Sequence, residues 1–175
     1  MGPGSDIPDP GVLRPALFLD RDGVVNVEKH YLFRIEDFEF MEGVLEICAD
    51  HKARGFKLVV VTNQAGVARG FYGLDDVERL HEWMRGRFQE RGVPLDGVYF
   101  CPHHPSVSGG CECRKPRPGM LLRASRELGI DLPNSVLLGD KESDLEAGRR
   151  AGVRRLGLVR GARRIESIDW REASP

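Results

Sequence analysis

The segment Ala16-Leu17-Phe18-Leu19-Asp20-Arg21-Asp22-Gly23 decides the fold that this chain adopts. Its four apolar residues predict a short buried strand, and two aspartates spaced i, i+2 follow that strand directly. Gly23 allows a sharp turn, and a turn at a strand end can direct both carboxylates into one crevice. Two converging carboxylates indicate a Mg²⁺ site in which one of them can also act as a nucleophile. The alternative is that the aspartates only stabilise a turn.

Two further apolar runs end in polar residues, and a segment between them supplies a lysine. These residues are Thr62, Asn63 and Gln64 after the run 57–61, Lys115 in the segment 113–119, and Asp140 and Asp144 after the run 135–138. An aspartate pair, a hydroxyl with an amide, a lysine and a second acidic cluster occur in this order in the haloacid dehalogenase superfamily of phosphotransferases. The chain resembles that superfamily over residues 16–160, and the joint match is specific although each motif alone is weak.

The resemblance implies a role in phosphoryl transfer for each motif. Asp20 is expected to attack phosphorus and form an aspartyl-phosphate, while Asp22 protonates the leaving group and later deprotonates the hydrolytic water. The resemblance also implies that Thr62, Asn63 and Lys115 contact the phosphoryl oxygens. Catalytic Mg²⁺ is expected to be bound by Asp20, the backbone carbonyl of Asp22 and Asp140, with Lys141 beside them. Lys141 and Asp144 either orient the carboxylates and a metal-bound water or only cap and pair at the start of the next helix.

The residues that line the substrate site are also taken from the resemblance. They are Glu28, Lys29, His30, Tyr31, Thr62, Asn63, Gln64, Ala65, Arg114 and Lys115. Ala65 departs from the pattern, because serine is expected at that position. The short segment between Asp22 and Gly43 has no room for the large cap domain that many relatives carry, so an open site is expected.

Arg114 bears on which phosphate ester is bound. Its guanidinium lies in the sequence between Cys113 and Lys115, next to the expected phosphate site. Because a guanidinium can pair with a second phosphate, Arg114 favours a small phosphorylated sugar that carries two phosphates. The nearest alternative is histidinol phosphate, whose cationic amine should favour acidic loop residues. A nucleic-acid 3′-phosphatase is less consistent with a formal net charge of −1 and 7% aromatic residues. A non-catalytic zinc-stabilised binding module would predict a broken aspartate set, and the set is complete.

A second group of residues has the spacing of a metal site. Cys101 and His103 or His104 form one half, and Cys111 and Cys113 form the other. Three sulfurs and one imidazole suit tetrahedral Zn²⁺ with no position left for water, which indicates a structural ion. The superfamily pattern favours His103. Disulfides and unliganded core cysteines are the alternatives, while Cys48 lies on an apolar helix face and is expected to be an ordinary buried thiol.

Strand patterns alternate with helical patterns along the chain, which predicts a parallel sheet with crossover helices. Helices are expected at 43–54, 74–91, 118–128 and 143–151, and additional strands at 97–100 and 155–159. The predicted fold is α/β: a three-layer, Rossmann-like arrangement with a mostly parallel central sheet, a zinc-binding loop and no large cap domain. The superfamily's strand order puts the first strand in the centre, between the strands that precede Thr62 and Asp140.

Length and composition indicate one domain in a chain of 175 residues. Residues 1–14 are expected to be a disordered lead-in, 15–162 a single phosphatase domain and 163–175 a C-terminal tail. The near-neutral charge gives no general attraction to nucleic acid or to anionic membranes. The chain has no apolar run long enough to span a bilayer and no signal sequence, so a cytoplasmic location is expected. The protein is also expected to be a monomer.

Overall fold

The computed structural model describes residues 11–173, and within this range six strands form one sheet. The strands are β1 (Ala16–Leu19), β2 (Lys57–Asn63), β3 (Gly97–Cys101), β4 (Val136–Gly139), β5 (Arg155–Arg160) and β6 (Ser167–Glu172). Their order is β3-β2-β1-β4-β5-β6, and all neighbours are parallel except β5 and β6. The predicted α/β fold with a mostly parallel sheet is confirmed, as is the central position of β1 between β2 and β4.

The helices cover both faces of this sheet. They are α1 (Val44–Ala53), α2 (Leu74–Glu90), α3 (Pro105–Ser108), α4 (Gly119–Leu128) and α5 (Glu142–Ala151), with a short 3₁₀ turn at Ile35–Asp37. The four long helices agree with the sequence prediction within one or two residues at each end. The segment between β1 and α1 is a loop that contains only this 3₁₀ turn and isolated bridges, and it forms no separate cap domain.

Alternation along β1 divides the interior into two cores. Phe18 lies on the face that packs against Leu121 of α4, while Leu17 and Leu19 lie on the opposite face with Phe88 of α2. All four residues of β1 are fully buried. A strand that is covered on both faces reads as a continuous apolar run, which is why residues 16–19 show no polar alternation.

The last strand, β6, was not predicted. It pairs antiparallel with β5 at the edge of the sheet, and Ile168 packs against the core. Asp169, Arg171 and Glu172 give this strand a polar sequence that resembles a tail, because an edge strand buries little of its surface. Of the expected N-terminal lead-in, residues 1–10 lie outside the described part of the chain.

The carboxyl end of β1 lies at the point where the strand order reverses. Leu19 is in register with Val60 of β2 on one side and with Leu138 of β4 on the other. Crevices at such reversals are the usual ligand sites of open parallel sheets. None of the helices within residues 11–173 is both long and apolar enough to cross a membrane.

Candidate active site

The turn after β1 brings Asp20 to the edge of the sheet. Its backbone N–H donates to Leu138 O at 3.0 Å, which extends the pairing of β1 with β4 by one residue. Gly23 has φ of 85°, and a Cβ at this position would lie 2.4 Å from Asp140 Oδ2. Glycine is therefore required both for the turn and for the close approach of the Asp140 carboxylate.

Lys115 reaches this turn from the segment that follows β3. Its Nζ lies 2.9 Å from Asp20 Oδ1, 2.8 Å from Asp144 Oδ1 and 2.8 Å from Val61 O. The side chain is almost completely buried. Burial opposes the charged form, but the carboxylates of Asp20 and Asp144 outweigh it and raise the pKa of Lys115 above its ordinary value. The ammonium group therefore remains charged inside the protein.

Three carboxylates lie close together at this site, and two of them contact the ammonium group. Oxygens of Asp20, Asp140 and Asp144 all lie within 4.8 Å of one another. Burial and the charge of Asp144 raise the pKa of Asp20 well above its ordinary value, against the opposing effect of Lys115. Burial likewise raises the pKa of Asp140 to about 6. The cluster has excess negative charge, which a divalent cation bound by hard oxygen ligands neutralises.

Asp140 provides a second sign that a cation fits here. Its Oδ1 is buried and has no hydrogen-bond partner among the residues that the structure describes. A buried carboxylate oxygen without a partner is energetically costly, and coordination of a cation removes that cost. The residues present therefore fit a Mg²⁺ ion.

Asp144 both caps a helix and contacts the site, which were alternatives in the sequence analysis. Its Oδ2 accepts the backbone N–H groups of Asp140 and Lys141 at 3.2 Å and 3.1 Å, which caps the start of α5. Its Oδ1 contacts Lys115. The Lys141 side chain instead extends towards Glu28, with 3.9 Å between the charged atoms, and does not enter the carboxylate cluster.

The Asp22 carboxylate is held by donors from three side chains. Oδ1 accepts from Arg21 and from Asn26 Nδ2, and Oδ2 accepts from Gln64 Nε2 at 3.0 Å. Burial favours the neutral acid, but Arg21 and the hydrogen bonds from Asn26 and Gln64 outweigh it and lower the pKa of Asp22. These contacts fix the direction of the Asp22 carboxyl group in the unliganded protein.

Arg21 is fully buried beneath the turn, although it stands between two site residues in the sequence. Its guanidinium contacts Asp22, Leu32 O at 2.8 Å and His81 Nε2 at 3.1 Å. Burial and the positive charge of Arg21 lower the pKa of His81 to about 3. The neutral ring accepts a hydrogen bond from Arg21 through Nε2.

A cavity of about 490 Å³ opens above Asp20 and Asp22. It is also lined by eight residues predicted to line the substrate site: Glu28, His30, Tyr31, Asn63, Gln64, Ala65, Arg114 and Lys115. Lys29 differs from the expectation, because its Nζ donates to Asp37 O at 2.7 Å outside this cavity. Thr62 lies beneath the cavity, almost fully buried, and its Oγ1 accepts from Gln64 Nε2.

Asn63 connects β2 with the segment that carries Lys115. Its Nδ2 donates to Lys115 O at 3.2 Å, and its Oδ1 accepts from Lys115 N at 3.1 Å. Arg114 donates to His103 O at 3.2 Å and also lines the cavity. The segment from His103 to Lys115 is thus attached to the site by backbone contacts as well as by the buried ammonium group.

The cysteine-rich segment forms a compact cluster next to these residues. Ligand atoms of Cys101, His103, Cys111 and Cys113 all lie within 4.8 Å of one another, and the sulfurs are separated by 3.0–3.6 Å. All four cysteines in the chain are free thiols. His104 is outside the cluster and instead accepts from Ser106 at the start of α3. Three thiols and one imidazole around one point are typical of a tetrahedral metal site.

Sequence reasoning did not identify Arg21, Asn26 or Tyr72 as parts of the site. Arg21 and Asn26 lie in the first motif or directly after it. Their hydrogen bonds to the Asp22 carboxylate form only in the folded turn, so the sequence does not indicate them. Tyr72 lines the cavity from the loop before α2, and no motif marks it. The Cys48 thiol is fully buried, as expected for a core cysteine, and burial raises its pKa to about 12.

A central strand that ends in two aspartates, a buried lysine and an acidic cluster at a strand-order reversal are typical of a phosphotransferase of the haloacid dehalogenase type. The model of the HAD-hydrolase-like family matches residues 112–174. A D-glycero-beta-D-manno-heptose-1,7-bisphosphate 7-phosphatase of Yersinia pestis is 48% identical over 166 residues, which cover 89% of this chain and 88% of that protein. A D-glycero-alpha-D-manno-heptose-1,7-bisphosphate 7-phosphatase of Burkholderia mallei is 52% identical over 143 residues, which cover 79% of this chain and 76% of that protein.

A solved structure supports the same relationship. The D,D-heptose 1,7-bisphosphate phosphatase of B. bronchiseptica, crystallised with magnesium and phosphate, has a TM-score of 0.72 and 33% identity. The alignment covers 80% of this chain and 78% of that one. The chain therefore belongs to the haloacid dehalogenase-like phosphatases, in the family of these relatives. The resemblance stated from the sequence is confirmed.

Proposed function

We propose that this protein removes the 7-phosphate of D-glycero-D-manno-heptose 1,7-bisphosphate through an aspartyl-phosphate on Asp20. The observation that carries the proposal is the position of Asp20 at the carboxyl end of the central strand, open to the cavity and in contact with Lys115. The names of the two relatives and of the solved structure support the substrate. Because these names include both anomers, the proposal covers both.

The proposed Mg²⁺ ligands are Asp20, Asp140 and the backbone carbonyl of Asp22. The unpartnered Asp140 oxygen and the excess negative charge of the cluster support this set. When bound, Mg²⁺ supplies charge stabilisation to the phosphoryl oxygens. Lys141 stays a neighbour of the site rather than a ligand, because an ammonium group has no lone pair to offer.

The reaction then proceeds in two steps. Asp22 enters the first step as the neutral acid. An Asp20 oxygen forms a bond to phosphorus, the ester P–O bond breaks, and the leaving oxygen takes the proton of Asp22, which becomes a carboxylate. A water molecule next attacks phosphorus, gives a proton to Asp22 and releases inorganic phosphate from Asp20. The Thr62 hydroxyl accepts from Gln64, so its own proton is available for a phosphoryl oxygen.

Lys115 neutralises the phosphoryl group during both steps. Its buried ammonium contacts Asp20, so the positive charge lies beside the oxygen that attacks phosphorus. Asn63 holds the Lys115 backbone through its amide. It also lines the cavity, and the second N–H of its amide is proposed to donate to a phosphoryl oxygen. Fixed donors of this kind need no reorganisation at the moment of reaction.

We assign a structural Zn²⁺ to Cys101, His103, Cys111 and Cys113. The proximity of these ligand atoms supports the site, and their softness favours zinc over magnesium. The ion would hold the segment that continues into Arg114 and Lys115. Reduced thiolate ligands fit a cytoplasmic location, and we propose a monomer that acts there on a small phosphorylated sugar.

A substrate panel tests the proposal. Release of inorganic phosphate is measured with Mg²⁺ for both anomers of the heptose bisphosphate, for histidinol phosphate and for a 3′-phosphorylated oligonucleotide. We expect kcat/KM for one heptose anomer to exceed that for histidinol phosphate at least ~10-fold, since Arg114 can pair with a second phosphate. A higher kcat/KM for histidinol phosphate would replace the proposed substrate, and hydrolysis of none of the esters would refute the proposed activity.

A further inference from the structure

A buried tyrosine outside all the motifs is connected to the site through one amide. The Tyr72 hydroxyl donates to Gln64 Oε1 at 2.9 Å, and both side chains are almost completely buried. Burial raises the pKa of Tyr72 to about 12, so the hydroxyl keeps its proton at neutral pH. The phenol therefore acts as a permanent donor towards the oxygen end of the amide.

This hydrogen bond fixes which end of the Gln64 amide faces the site. With Oε1 bound to Tyr72, Nε2 donates to Asp22 Oδ2 at 3.0 Å and to Thr62 Oγ1 at 2.9 Å. A reversed amide would direct its oxygen at Asp22 Oδ2 and Thr62 Oγ1, so both would lose the donor that Nε2 supplies, and the Tyr72 hydroxyl would lose its acceptor. The amide thus has one stable orientation.

The tyrosine ring occupies a well-defined space. It stacks on Phe33, with ring centroids 5.1 Å apart and an interplanar angle of 23°. On its other side it touches Gly66, where a Cβ would lie 2.2 Å from the ring. Because only glycine leaves this space, the ring position depends on the backbone of the loop after β2 and not on a flexible surface contact.

Asp22 is held from two directions, and only one of them depends on the tyrosine. Arg21 and Asn26 hold Oδ1, while Gln64 adds the amide that directs Oδ2. Arg21 Nη2 also lies 3.2 Å from Oδ2, so the carboxylate would stay bound without Gln64 but would be free to rotate towards the guanidinium. The amide therefore determines the direction of the carboxylate more than its presence.

We propose that Tyr72 and Gln64 are positioning residues that aim the Asp22 carboxyl at the oxygen of the leaving group. The inference rests on the proposed aspartyl-phosphate reaction and deepens it. Gln64 lines the cavity, as expected from the sequence, and the inference adds a positioning role to it. Neither residue exchanges a proton with the substrate: the ester P–O bond breaks, and the proton on the leaving oxygen comes from Asp22.

The experiment uses a readout that responds to proton delivery. In the Mg²⁺- and zinc-loaded full chain, kcat/KM is measured for p-nitrophenyl phosphate, whose leaving group departs as a stable anion, and for phenyl phosphate, whose leaving group needs a proton more. Tyr72→Phe removes only the hydroxyl and keeps the ring. We expect it to lower kcat/KM for phenyl phosphate about 10-fold, within the range of general acid catalysis, and for p-nitrophenyl phosphate less than about twofold.

Two further variants complete the design. Gln64→Met keeps the length of the side chain without its polar atoms, and we expect the same selective loss. Tyr99→Phe is the matched control, because the Tyr99 hydroxyl donates to Glu127 at 2.8 Å on the surface. We expect this variant to retain wild-type values for both esters.

The possible results are distinct. Selective losses in both site variants support the inference. If either site variant loses activity equally on the two esters, or loses none, the positioning role is refuted. The phosphatase proposal would still stand in that case, provided that the wild type is active. A wild type that hydrolyses neither ester nor the heptose bisphosphate would overturn both proposals.

Discussion

Acidification should destabilise this protein through His81, which lies beneath the turn that holds Asp22. The ring is buried, and its Nε2 faces Arg21 Nη1 at 3.1 Å. Asp22 and Arg85 are the other charged groups that act on it, with effects smaller than those of burial and Arg21. Protonation of the ring would remove the acceptor for Arg21 and place two cations next to each other.

The size of the effect follows from the two protonation equilibria. The ordinary pKa of histidine is 6.5, and in the folded protein burial and Arg21 lower the pKa of His81 to about 3. Between these values the unfolded chain binds a proton that the folded protein rejects, so stability falls as the pH falls. At 1.36 kcal/mol per pH unit, the free energy of unfolding should decrease by about 2 kcal/mol between pH 7 and pH 5.

Urea unfolding of the holoprotein at pH 7, 6 and 5 measures this effect against His81→Gln. Glutamine keeps an acceptor for Arg21 and does not titrate, so the variant should lose about 2 kcal/mol less over this range. His104→Gln changes a half-buried surface ring that does not contact Arg21, and it should keep most of the pH dependence of the wild type. Parallel pH dependence in the wild type and in His81→Gln would show that His81 is not held neutral.

Three further predictions concern the proposed chemistry. Asp20→Asn should abolish turnover while circular dichroism and the unfolding temperature show a folded protein; more than a few per cent of wild-type turnover in a clean preparation would contradict a nucleophilic role. Cys111→Ser should lower the zinc content measured by elemental analysis and reduce Tm by about 5 °C or more, whereas His104→Gln, a change outside the cysteine cluster, should keep the bound zinc; equal zinc contents in the two variants would argue against the site. Arg114→Ala should reduce kcat/KM for the heptose bisphosphate about 10- to 100-fold, the equivalent of ~1.5–3 kcal/mol, with a much smaller loss on p-nitrophenyl phosphate; equal losses would mean that Arg114 serves only the phosphoryl site.

The parts of the molecule that were predictable depend on local sequence. The apolar run before Asp20 and the polar residues after β2 and β4 predict strand ends, and the strand order then places those ends side by side. The helix α2 was equally clear, because Val77, Leu80, Met84 and Phe88 have helical spacing and are all buried. In each case a pattern within a few residues is sufficient.

The parts that were missed depend on contacts that the folded chain creates. Arg21 contacts His81 across 60 positions in the sequence. Neither the burial of an arginine nor the direction of an amide such as that of Gln64 is encoded in residue type. The strand β6 was missed for another reason: its pairing with β5 compensates for a sequence with weak strand character.

The hydrogen bonds of Lys115 have a stereochemical consequence for substrate binding. A protonated lysine has three N–H bonds, and Nζ already has three oxygen neighbours within 2.9 Å, those of Asp20, Asp144 and Val61. A phosphoryl oxygen cannot become a fourth full partner, so it enters only by exchange with one of these three. In the unliganded protein all three N–H groups of the ammonium therefore have acceptors. Each catalytic cycle must break one of these hydrogen bonds and form it again.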